Sequence, residues 1–316
     1  MKILVNDGIS QSGIDALEKG GFEVMNTKVA ENQLENYINE HTIDAIIVNG
    51  STQVRQELME ACPSLKLIAS TDIEMENIDV DYAIDNGLHI INASEALSSS
   101  VAELVFSHLF GMARFLHSSN REMPLEGDFR FKELKKAYAQ GTELRGKTLG
   151  IIGFGKVGQE VAKIAIGIGM NVLATDDVIK NATITLDFFN GQKASFTIET
   201  VDKEELYKEA DFISLHVTEQ EEFLITAADF NKMKNGVGII NTAKGGVINE
   251  VDLIKAIEEG KVQFAGLDVF DTEPNPAVQV LMNSEISLTP HIGGSTKEAQ
   301  ERIGLNLAQQ IISLLN

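Results

Sequence analysis

The sequence predicts an α/β protein built from two doubly wound parallel-sheet domains. Three observations predict it. Short apolar runs alternate with amphipathic helical runs over the first hundred residues, and the same rhythm returns from about residue 100 to 290. Where an apolar run gives way to a helix in the second stretch stand Gly153, Gly155 and Gly158. Alternation of this kind places helices on both faces of a parallel sheet.

The elements follow in order. Strand-like runs are expected at residues 2–5, 23–25, 45–48, 65–69 and 89–91, with helices at 11–19, 31–40, 54–61 and 80–86 between them. A long amphipathic helix is expected over 98–117, and a polar linker over 118–145. The second set of strands is expected at 148–152, 171–174, 212–216, 237–241, 264–268 and 286–288. Helices are expected at 156–170, 203–208, 227–232 and 250–259. A last amphipathic helix, 296–315, is long enough to return to the first domain, so the domains divide as 1–97 plus 295–316 and 98–294. Two such domains are expected to enclose a ligand cleft. One insertion interrupts the rhythm. Residues 182–200 alternate apolar and polar around Asn190-Gly191, a hairpin signal because both turn positions tolerate positive φ. Surface decoration or a contact between copies is the expected role.

The totals narrow the function. With 316 residues and 43% hydrophobic content the chain can bury two cores. No stretch reads as a membrane span, and the opening MKILVNDGIS reads as a strand and turn. The single cysteine, Cys62, excludes an internal disulfide and suits a cytoplasmic location. A net charge of −21 disfavours nucleic acid and anionic membrane as partners, and obliges an anionic substrate to find local cations.

The run TLGIIGFGKVG at Thr148–Gly158 carries the first chemistry. Gly153 makes the tight turn out of the strand, Gly155 lets a pyrophosphate approach the backbone, and Gly158 lets the helix pack on the sheet. Phe154, Lys156 and Val157 complete that loop, and the helix N-terminus offers free N–H groups to phosphates. Asp176 ends NVLATD about twenty residues further on, the spacing of a carboxylate that bonds ribose hydroxyls. The cofactor expected is therefore NAD, and a 2′-phosphate would be repelled. No metal site is expected.

Three later segments, NTAKGGVINE (241–250), GLDVFDTEP (266–274) and TPHIGGST (289–296), join GFGKVG and SLHV (214–217). Together they closely resemble the D-2-hydroxyacid dehydrogenase family over nearly the whole chain. The resemblance implies a Rossmann-type NAD domain and a flavodoxin-like substrate domain. Within the family the REMP and HIGGSTKEAQERIG segments look most like the branch acting on 3-phosphoglycerate, in a short form without regulatory domains, which implies a place in serine biosynthesis. It implies His291 as general acid/base, suited by an imidazole that titrates near neutrality. Glu273 would hold the other ring nitrogen, and Asp268 would bond the nicotinamide carboxamide. His216, Val217, Thr242, Ala243 and Gly293 would line the cofactor. The substrate would be a small 2-hydroxy or 2-keto acid, and the protein a homodimer joined through helix 98–117 and the segment after it.

The chain also departs from the family. Lys244 replaces an Arg that forks onto the substrate carboxylate, and a lysine gives only one point contact. In the first domain Asn49 replaces an Arg, while Ser70, Asp72 and Glu74 replace an Arg and two glycines. Glu95 and Ser99 stand where the family has a Pro and often a basic residue. Cations leave and acids enter on the wall that should receive an anion, so weak binding of 3-phosphoglycerate is expected. Three functions follow: a phosphoglycerate-type dehydrogenase, a dehydrogenase for a non-phosphorylated 2-hydroxy or 2-keto acid, and an NAD-binding homologue with impaired catalysis.

Overall fold

The computed structural model describes residues 1–72, 75–218 and 221–316. The chain divides into two compact units, Met1–Leu97 with Ser295–Asn316, and Ser98–Gly294.

In the first unit the described elements are β1 (Lys2–Val5), α1 (Gln11–Lys19), β2 (Glu23–Asn26), α2 (Glu31–His41), β3 (Ala45–Val48), α3 (Gln56–Ala61), β4 (Leu67–Ser70), α4 (Val80–Asp85) and β5 (His89–Asn92). A 3-10 turn at Ser94–Leu97 follows. The strands pair in parallel in the order β2-β1-β3-β4-β5. Successive side chains point to opposite faces, so two cores form. Ile3, Val5, Ile47 and Ala69 pack with Leu17 and with Ile303, Leu307 and Ile311 of the C-terminal helix. Leu4, Ile46, Val48 and Ile68 pack on the other face with Leu34, Ile38 and Met59. A strand buried on both faces has to read as a continuous apolar run, which is why KILV and AIIV are legible.

In the second unit the described elements are α5 (Ser98–Ala113), α6 (Leu116–Glu126), α7 (Phe131–Ala137), β6 (Thr148–Ile152), α8 (Lys156–Gly167), β7 (Asn171–Thr175), β8 (Asn181–Asp187), β9 (Lys193–Glu199), α9 (Lys203–Glu209), β10 (Phe212–Leu215), α10 (Ala227–Lys232), β11 (Val237–Asn241), α11 (Glu250–Glu258), β12 (Val262–Leu267), α12 (Val278–Leu281) and β13 (Ile286–Leu288). The last helix, α13 (Lys297–Leu315), belongs to the first unit. The second sheet is parallel in the order β13-β12-β11-β10-β6-β7. Strand order reverses between β6 and β10, and ligands of such sheets bind at the carboxyl ends of the strands at that reversal. Leu149 and Ile151 pack under α5 and α8, whereas Ile152, Ile213, Leu215 and Ile239 pack under α9, α10 and α11.

Five expectations are corrected. The helix expected over 98–117 ends at Ala113, because Phe115 turns to φ 54 before α6 begins. The expected linker 118–145 contains most of α6 and all of α7. Residues Glu95–Ala113 are, by length and composition, apolar enough to cross a membrane, although 61% of that window is buried inside the structure. The hairpin loop is longer than an Asn-Gly pair. Phe188 N–H donates to Gln192 O, and of the loop residues only Gly191 has positive φ. Nor is the hairpin wholly peripheral, since Ile184 is buried with Val161 and Ala165 of α8.

Candidate active site

At the carboxyl end of β6, Gly153 has φ 91, and a Cβ there would lie 2.3 Å from His216 O at the end of β10. A side chain is excluded twice over, by backbone conformation and by the neighbouring strand. Gly155 is the N-cap residue of α8 and has no capping side chain. A Cβ on it would meet open space, so the ground before the uncapped helix N-terminus is clear. Asp176 Oδ2 accepts from Phe154 N–H at 2.7 Å, and Oδ1 accepts from Val178 and Ile179 N–H at 2.9 and 2.8 Å. Burial pushes this carboxyl up, but those N–H groups and Lys180 outweigh it and hold it below the usual range. Its charge is thus fixed beside the glycine loop.

At the neighbouring strand ends, His216 Nε2 meets Ser214 Oγ at 2.8 Å. Burial drives the His216 imidazole down to about 3, so it is neutral. Among the described residues, its Nδ1 and the Thr242 hydroxyl are buried without a hydrogen-bond partner. Buried polar atoms are rarely left so, and those that are mark a place for a bound group. The open glycine loop, the helix end without a side-chain cap and these two atoms all suit a dinucleotide.

His291 lies beyond β13. It has φ 53, unusual for a residue with a side chain and costing about 1–2 kcal/mol. Its N–H donates to Asp268 O at 2.9 Å. The buried Asp268 carboxylate then organises the turn. Oδ1 accepts from Thr289 Oγ1 at 2.6 Å and Ile292 N–H at 2.9 Å, and Oδ2 accepts from Gly293 N–H at 2.8 Å. His291 Nδ1 lies 2.8 Å from Glu273 Oε2, while Glu273 Oε1 accepts from Phe270 N–H at 3.0 Å. Both ends of the Glu273 carboxylate are fixed, so the imidazole is oriented with Nε2 left for chemistry. A cavity of about 440 Å³ adjoins the pair, walled by Phe270, Pro274, Pro276, Leu281, Leu288 and Pro290.

The loop bearing Lys244 is tied to the Glu273 loop, because Asp271 Oδ1 accepts from Gly246 N–H at 2.9 Å. Asn241 shapes that loop, accepting from Ala243 N–H and donating to Lys244 O. Burial holds the Lys244 ammonium below the usual lysine range, while the nearby Glu273 carboxylate pulls it part of the way back.

In the first unit the sheet order reverses between β1 and β3, and the loops after those strands interlock. Asp7 Oδ2 accepts from Asn49 N–H at 2.8 Å, and Asn49 Oδ1 accepts from Ser51 N–H at 2.9 Å. Asp72 Oδ2 accepts from Gly50 N–H at 2.7 Å, and Ser70, buried, accepts from Asp72 N–H. Asp72 is therefore an acceptor inside its own loop cluster and not an idle acid. Glu74 lies outside the described residues. Glu95 is exposed. Sequence reasoning missed Lys28, which pairs with Asp7 and reaches Ser51 and Thr52. Burial raises the Asp7 carboxyl, yet Lys28 and the Asn49 N–H bring it below the usual range. A cation is thus present, though already matched by a carboxylate.

Residues 106–293 match the sequence profile of the D-isomer specific 2-hydroxyacid dehydrogenase, NAD binding domain. This chain belongs to that family. The family works with NAD on small 2-hydroxy and 2-keto acids. A hydroxypyruvate reductase from Thermotoga maritima is 38% identical, aligning over 99% of this chain and 98% of its own length. A D-3-phosphoglycerate dehydrogenase from Archaeoglobus fulgidus is 35% identical over 99% of this chain but only 57% of its own length. Among solved structures, a glyoxylate reductase from Paecilomyes thermophila superimposes with a TM-score of 0.78 at 28% identity, covering 100% of this chain and 96% of that one.

Proposed function

We propose that this chain is an NAD-dependent oxidoreductase that interconverts a non-phosphorylated 2-keto acid and its D-2-hydroxy acid. The observation that carries the reading is the 2.8 Å contact between His291 Nδ1 and Glu273 Oε2. NAD supplies the hydride acceptor or donor when bound. Gly153, Phe154, Gly155, Lys156, Val157, Gly158 and Asp176 hold its adenosine and pyrophosphate, with Val217, Ala243 and Gly293 further along it. His216 Nδ1 and the Thr242 hydroxyl offer it hydrogen bonds. Among the described residues Asp268 Oδ2 takes one donor, Gly293 N–H, which leaves a second lone pair for a carboxamide N–H. His291 Nε2 gives a proton to the carbonyl oxygen as it is reduced, or takes the hydroxyl proton in reverse. Glu273 keeps Nδ1–H pointed at itself, so Nε2 faces the reacting oxygen. Lys244 supplies the charge that draws the substrate carboxylate.

The substrate class follows from the first unit. Asn49, Ser70 and Asp72 stand at the positions that the family resemblance gives to anion binding, and Asp72 already occupies Gly50 N–H. A second anion there would meet a carboxylate instead of an N–H, a repulsion that disfavours a phosphate. The full-length alignment with a hydroxypyruvate reductase supports the same class. A steady-state panel tests this: hydroxypyruvate and glyoxylate with NADH, and 3-phosphoglycerate with NAD. Saturable reduction of a keto acid, lost about 100-fold or more in His291→Asn while NADH still binds, is expected. Efficient turnover of 3-phosphoglycerate at micromolar concentration overturns the substrate assignment. NADH binding without turnover of any acid overturns the catalytic one.

A further inference from the structure

His108 lies buried in α5, far in sequence from the residues it touches. Its Nδ1 is 2.9 Å from Ser287 Oγ and its Nε2 is 3.1 Å from Thr289 Oγ1. The directions of these bonds can be deduced. The single proton of the Thr289 hydroxyl goes to Asp268 Oδ1, at 2.6 Å. Thr289 Oγ1 can then only accept from His108, so Nε2 carries a hydrogen. With the ring neutral, Nδ1 has to accept from the Ser287 hydroxyl. Burial favours that neutral form, pushing the imidazole below its ordinary range against the pull of Asp268. The result is one directional chain, Ser287 to His108 to Thr289 to Asp268. It ends on the carboxylate that gathers Ile292 and Gly293 N–H around the left-handed His291.

We propose that His108 is a positioning residue for His291, acting through Thr289 and Asp268. Without the donor at His108, the Thr289 hydroxyl loses the partner that sets its second direction. The Asp268 carboxylate then loses a fixed donor on one oxygen, and the turn that holds His291 at φ 53 loosens. Chains of this kind polarise along their length, so the last bond depends on the first. That His291 moves a proton rests on the function proposed above; that His108 orders the turn does not.

The experiment compares His108→Leu, His108→Gln and the double variant His108→Leu/Ser287→Val in the full chain. Three readouts are taken: hydrogen exchange of the peptide spanning residues 288–294, thermal stability, and kcat with KM for a keto acid and NADH. His108→Leu is expected to speed exchange of the 288–294 peptide and to lower kcat about 10- to 100-fold, the scale of a small misplacement of a reacting group. The double variant removes both members of the buried polar pair, so it regains thermal stability but not kcat or protection. His108→Gln can donate to Thr289 and accept from Ser287, and recovers both to within a few fold. The inference is overturned if exchange of the 288–294 peptide is unchanged in His108→Leu, or if the double variant restores protection together with stability. If the parent protein turns over no acid, exchange alone decides: faster exchange in His108→Leu that His108→Gln reverses supports the positioning role, although the proposed function then fails.

Discussion

Lys244 stands where the family resemblance implies an arginine, and its environment makes a signed prediction. Burial lowers its pKa, with Glu273 opposing. The cationic form is therefore present at low pH and is lost as pH rises through a value below the usual lysine figure of about 10.4. If Lys244 draws the substrate carboxylate, kcat/KM for a keto acid falls along an alkaline limb that begins below that figure. Lys244→Arg should abolish the limb, because a guanidinium keeps its charge at any working pH. A pH profile of both proteins checks this, and an identical limb in the variant assigns it to another group. The same scale shows what a sequence can disclose. The contact between Glu273 and His291 was legible because each sits in a short segment that carries the family resemblance. Lys28 was not, since its partners Asp7, Ser51 and Thr52 lie in other loops, and no local spacing records such a pairing. His108 was silent for the same reason: a lone histidine on an apolar helix gives no hint of Ser287 and Thr289.

At the scale of elements, the buried strands β1, β3, β6 and β11 were legible residue for residue, because burial on both faces leaves a sequence no freedom to be polar. The segment after α5 was read as a polar linker because α6 buries none of its residues in this chain. An amphipathic pattern is recognisable only where a helix has a core to face. Leu125, Phe129 and Phe131 are strongly exposed around these helices, along with Phe110 and Leu116. Large apolar side chains exposed together along one stretch of chain fit an association surface. We therefore expect a homodimer through α5 to α7. Phe129→Glu should shift the mass measured by light scattering toward that of a monomer, and an unchanged dimer would place the contact elsewhere. The hairpin makes a separate prediction. Ile184 of β8 is 1% exposed against α8, so Ile184→Ala should cost about 2–5 kcal/mol in denaturant unfolding. Phe189, on the fully exposed tip, should cost no more than about 0.5 kcal/mol as alanine. Equal effects would mean that the hairpin is held by something other than its packed face.

For the whole molecule the dominant quantity is its charge, −21 on 316 residues. A field of that sign lowers the local concentration of any anion, keto acids included, whatever the chemistry of the site. The helix N-terminus and Lys244 act over a few ångströms, whereas the surface field acts over a Debye length of about 30 Å at 0.01 M salt and about 8 Å at 0.15 M. The two ranges can be separated by salt. Screening weakens the long-range repulsion first and leaves the short, partly buried contacts largely intact. KM for a monoanionic keto acid should therefore fall about threefold or more on going from 0.01 to 0.15 M sodium chloride, with kcat little changed. The fall should be steeper for 3-phosphoglycerate, whose greater negative charge meets the same field more than once over. The opposite trend, a KM that climbs with salt, would mean that local cations outweigh the surface at the distance where substrate is captured. Lys28 would then be the first group to neutralise, because its charge lies half-exposed at the reversal of strand order in the first unit.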